Sequence, residues 1–80
     1  MTEKAKQQQK ERILIRYRYY LELYLEAYRN GDWVEIDKAF ARLSGFQQGV
    51  YSMCRGRQYS MWNKLFNEEF NARWENRWQR

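Results

Sequence analysis

Residues 13–36, ILIRYRYYLELYLEAYRNGDWVEI, decide the fold of this chain. At about 100° per residue, Leu14, Tyr17, Leu21, Tyr24, Leu25 and Tyr28 fall on one side of a helix. Ile13, Tyr20 and Ala27 widen that side to an arc of roughly 160°. Asn30-Gly31 ends the pattern, because Gly accepts the left-handed conformation that closes a helix. Asp32-Trp33-Val34-Glu35 then reads as a capping box, with Asp32 as N-cap and Glu35 three residues on. So short a loop between two helices implies an antiparallel hairpin.

Outward from this stretch, the first helix is predicted over about 4–29, with its first two turns frayed. From Trp33 onward, Ile36, Ala39, Phe40, Leu43, Phe46, Val50, Met53 and Cys54 keep helical spacing. They predict a second helix over about 33–55, able to kink near 44–45, since an interior Gly costs about 1 kcal/mol relative to Ala. Arg55-Gly56-Arg57-Gln58 is a second turn, and a third helix is predicted over about 59–78. The fold class is therefore all-α: one domain over 1–80, an antiparallel three-helix bundle made of a long helical hairpin and a C-terminal helix. Self-association is one way to complete so small a core.

Composition narrows the function classes. The chain has no His and one Cys, so no disulfide closes within it and no Cys/His zinc cluster can be assembled. A Ser-His-Asp or Cys-His catalytic arrangement is excluded for the same reason. Gly45-Phe46-Gln47-Gln48-Gly49 lacks the Lys-Ser/Thr of a phosphate-binding loop. Glu22 and Glu26, one turn apart, are read as solvated surface, and Cys54 as a small apolar residue. These features predict no enzyme, no catalytic or metal site, no cofactor and no small-molecule substrate. The Lys, Gln, Glu and Arg of 1–12 precede no secretory apolar run, and the longest uncharged stretch, 43–54, is too short to span a bilayer. No membrane association and a cytoplasmic location are expected, the lone thiol fitting a reducing compartment.

Three features point to surfaces left over after folding. Ile15, Tyr19 and Leu23 form a second apolar stripe on the first helix. Either that helix is buried on both sides or the stripe is a self-association or partner surface. Ala41, Gly45 and Gly49 form a small-residue stripe on the second helix, expected to let another backbone approach closely. On the third helix Trp62, Phe66, Phe70, Trp74 and Trp78 follow one another at four-residue steps. That stripe drifts by about 40° per step, so Trp62, Leu65 and Phe66 are expected inside, with Trp74 and Trp78 on another side. The echo Arg73-Trp74, Arg77-Trp78 suits guanidinium-over-ring stapling, a protein interface or stacking on single-stranded nucleic acid.

The net charge is +5. In an antiparallel bundle, Lys10, Arg12, Arg55 and Arg57 are expected near one pole, while Arg73, Arg77 and Arg80 mark the C-terminus. Such a pole could contact phosphates. The leading expectation is a non-enzymatic, regulatory or protein–protein interaction protein that self-associates. Its size fits an accessory protein of a phage or mobile element. The alternative is a nucleic-acid-binding protein that uses the basic pole, with Arg73 and Arg77 as further contacts.

Overall fold

The computed structural model describes residues 2–78. Three helices make up those residues, with no strand among them: α1 (Glu3–Asn30), α2 (Trp33–Ser52) and α3 (Arg57–Glu75). They form the expected antiparallel bundle.

Local chemistry explains each boundary. Thr2 caps α1, its hydroxyl accepting from the Ala5 N–H at 3.1 Å, so the helix is formed from its first turn. At the other end Gly31 is left-handed (φ 68°, ψ 22°). Its N–H donates to the Tyr28 carbonyl and the Asp32 N–H to that of Ala27, the two bonds of a Schellman motif. Only half of the predicted capping box forms. The Asp32 carboxylate accepts from the Glu35 N–H at 3.2 Å, but the Glu35 side chain turns to Lys38.

Three expected boundaries are corrected. α2 stops at Ser52 rather than Arg55, because the Met53 and Cys54 N–H groups tighten onto the Val50 and Tyr51 carbonyls. The next turn needs positive φ at Gly56 (59°). Gln58 holds that turn, its side-chain oxygen accepting from the Arg55 N–H. α3 therefore starts two residues early, at Arg57, and ends at Glu75 rather than Trp78. The Asn76 N–H there bonds to the Arg73 carbonyl, and Asn76 leaves helical geometry. α2 runs unbroken through Ser44 and Gly45.

The core follows the predicted arcs. Leu14, Tyr17, Leu21 and Leu25 of α1 cluster with Leu43 and Val50 of α2 and Trp62 and Phe66 of α3. Tyr17 is the pivot: its ring stacks on Phe66 at 4.4 Å, and its hydroxyl donates to the Phe66 carbonyl at 3.2 Å. Burial, followed by Tyr51 and Glu69 nearby, pushes its phenol well above the ordinary range. Two expected core positions of α2 are corrected. Phe40 is 53% exposed and Met53 is also exposed. Phe40 lies at the edge of the buried arc, beside Tyr24, and Met53 falls just past the helix end.

α1 and α2 run close together, whereas α3 stands further off. Large rings fill the α1–α3 seam and set the wider spacing. The helices of that seam run parallel, with Tyr17 against Phe66, Tyr24 against Phe70 and Trp74, and Tyr28 against Trp74 and Trp78.

Candidate interaction surfaces

α1 is the longest helix and has only two neighbours, so one face remains uncovered. Ile15 (59% exposed) and Tyr19 (62%) lie on that face. Leu23 is half-buried, at a shallow cleft it shares with Tyr19, Tyr20, Arg42 and Phe46. The stripe is thus not buried on both sides. Helical spacing places Arg12 on the same face, beyond Ile15, and Glu22 and Glu26 at its other end. Both glutamates are about half exposed and pair with Arg29, Glu26 at 3.0 Å and Glu22 at 3.9 Å. Arg12 and Arg16 are exposed and form no ion pair among the described residues.

The small-residue stripe of α2 does not find a close-packed neighbour among the described residues. Ala41, Gly45 and Gly49 are exposed, and a Cβ built at either glycine would meet nothing within 4 Å. This stripe lies on the side of α2 opposite Ala39, Leu43 and Val50, which are buried.

The tryptophans of α3 separate. Trp74 is half-buried, stacked on Tyr24 and Phe70 and edge-on to Tyr28. It belongs to the bundle more than to a surface, because the drift of its stripe follows α1 along the parallel seam. Trp78 is 62% exposed and leans on Tyr28. Trp33, at the first turn of α2, is 75% exposed, and Val34 beside it is exposed too. Neither was singled out from the sequence as surface. The signal was the helix face: Val34 lies opposite Ala39, Leu43 and Val50 and Trp33 about 100° away from them, whereas Ile36 of the same turn lies near their side and is half-buried.

The basic residues divide as well. Lys10 lines a cleft with Met53, Cys54, Gln58 and Met61, so the start of α1 does sit beside the second turn. Arg55 and Arg57 are exposed at that turn. Arg12, two residues from Lys10, points to the far side of α1, because a helix turns about 200° over that step. The four residues therefore share one end of the molecule without forming a single patch.

Arg73 and Arg77 are engaged at the opposite end. The Arg77 guanidinium lies 4.3 Å from the Trp74 ring centre and donates to the Trp74 carbonyl at 2.8 Å. This is the stapling arrangement. Arg73 bonds Glu69 and pairs with Glu22 at 3.5 Å. Arg18 completes the seam with a two-pronged bond to Glu69, at 2.7 and 3.1 Å. The Arg18 hydrogen bond, aided by Arg73, holds the Glu69 carboxyl below the usual range against the opposing effect of burial. Arg80 lies outside the described residues.

No helix among the described residues is long and apolar enough to cross a membrane. No group of three or more Cys, Asp or Glu residues there could hold a metal ion. The chain matches no protein-family model, no curated protein and no solved structure.

Proposed function

We propose that this chain is a non-enzymatic helical interaction protein, regulatory in character, which works by docking to another protein and to itself. One observation carries the reading. Large apolar side chains remain exposed along the helices and just past the end of α3 although the core is closed around Tyr17, Leu21 and Phe66. Ile15, Tyr19, Trp33, Phe40 and Trp78 each keep about half or more of their surface in water. Aromatic residues are typical anchors of protein interfaces, and contiguous apolar surface on a small chain marks such sites. The absence of His, with no metal-holding group of Cys, Asp or Glu among the described residues, favours binding over chemistry. An accessory factor of a phage or mobile element is one setting for such a protein.

Sedimentation analysis across a wide concentration range tests the self-association part. A pull-down from the native host, with and without nuclease, tests the partner part. A protein retained after nuclease treatment supports the reading. A strict monomer that retains no protein removes it.

A second reading, nucleic-acid binding, is favoured by the exposed Arg55 and Arg57 beside Lys10, none of which forms an ion pair among the described residues. It predicts a low-salt gel shift whose affinity falls steeply as salt rises. The engagement of Arg73 and Arg77 with Glu69, Glu22 and Trp74 argues against their sharing in that contact. No shift with duplex DNA, single-stranded DNA or RNA would dismiss it.

A further inference from the structure

The geometry points to the occupant of the uncovered α1 face: a second copy of this chain, packed antiparallel through the same face about a two-fold axis near Ile15 and Tyr19. This rests on the self-association part of the proposed function and assigns it a surface and a direction.

The order of residues along the face fixes the direction. Arg12 comes first, flanked by Arg16 on one side and Glu11 on the other, then the apolar pair Ile15 and Tyr19, then Glu22 and Glu26. The face is basic at one end, apolar in the middle and acidic at the other. An antiparallel copy brings Ile15 and Tyr19 of one chain onto those of the other. It also sets each Arg12 against the partner's Glu22 and Glu26 end, twice by symmetry. A parallel copy would stack Arg12 on Arg12 and Glu22 on Glu22, which like-charge repulsion opposes. The arginine end has no competing ion pair within the described chain, while the glutamates keep about half their surface exposed beyond their bonds to Arg29 and Arg73. From Arg12 to Glu26 the face spans about 21 Å. One helix pair of that length lies at the low end of interface sizes, so the dimer is expected to form and dissociate with concentration.

The test is sedimentation equilibrium on the full chain and three variants, with circular dichroism confirming that each is folded. Tyr19→Glu places a charge at the centre and should weaken association at least about tenfold. Arg12→Glu sets like charges at both ends and should weaken it roughly tenfold. Arg12→Glu chains mixed with Glu22→Arg chains should associate with each other, because an axis between Ile15 and Tyr19 sets residue 12 of one copy opposite residue 22 of the other, so both ends of the mixed dimer regain opposite charges. That mixture should be tighter than either variant alone. A dimer indifferent to Tyr19→Glu and Arg12→Glu would overturn this interface while leaving self-association standing. A mixture no tighter than its components would overturn the antiparallel arrangement. A strict monomer at high concentration would remove both this interface and the self-association it rests on.

Discussion

At the scale of single residues, Phe66 and Tyr17 set how much stability the chain has to lose. Phe66 is fully buried and meets Tyr17, Phe46, Tyr51 and Trp62 in ring contacts. Phe66→Ala removes the shared partner of all four and leaves a cavity. The expected cost is about 3–5 kcal/mol, measured by urea unfolding. For a domain whose total stability is on the order of 5–10 kcal/mol, that brings the variant close to unfolding at room temperature. The sequence placed both residues inside from periodicity alone. It could not show that the Tyr17 hydroxyl reaches the Phe66 carbonyl, because that bond joins residues 49 positions apart.

At the scale of the element, α2 carries a testable contrast between propensity and packing. Gly45 and Gly49 are helical, exposed and without neighbours, so replacing them by Ala restores helix propensity without a clash. Each replacement should stabilise the chain by about 1 kcal/mol, seen as a higher melting temperature. If association is unchanged in the double variant, the small-residue stripe takes no part in it, as the α1 interface requires. The α1–α3 seam offers a second contrast. Glu69 titrates below its unfolded value because Arg18 and Arg73 hold its charged form. The stability this contributes is fully present above the ordinary glutamate range, near pH 4.3, and is lost as pH falls through the lower folded value. Melting temperature should therefore drop on acidification below about pH 4.5. Glu69→Gln should lower it at neutral pH and flatten that acid limb.

At the scale of the whole molecule, shape decides which surfaces remain. The described residues span 43 × 23 × 17 Å, and a helix of 28 residues is about 42 Å long. α1 thus runs the full length, while the shorter α2 and α3 cover it on two sides only. Three helices of these lengths leave one face of α1 open from Arg12 to Glu26. Because that face is uncovered within the chain, substitutions on it should alter association far more than folding. Tyr19→Glu is expected to shift the melting temperature little at a dilution where the chain is monomeric, as read by circular dichroism. A large drop there would mean that Tyr19 supports the bundle itself.

The helices, their order, the Gly31 turn and the buried arcs of α1 were determined by the sequence alone, since they depend on spacing, capping and glycine conformation within a few residues. Tertiary structure alone decided which arc-edge residues stay wet, as Phe40 does, and that Trp74 lies against Tyr24 while Trp78 does not. It also decided that Arg12 and Lys10 face opposite ways at the basic end, and that Arg18, Arg73 and Arg77 are engaged at the α1–α3 seam and the α3 C-terminus. The reason is that each of these depends on where a neighbouring helix stops and how far off it stands. Ring size in the α1–α3 seam and the lengths of α2 and α3 set those quantities, and one helix's periodicity carries no record of them.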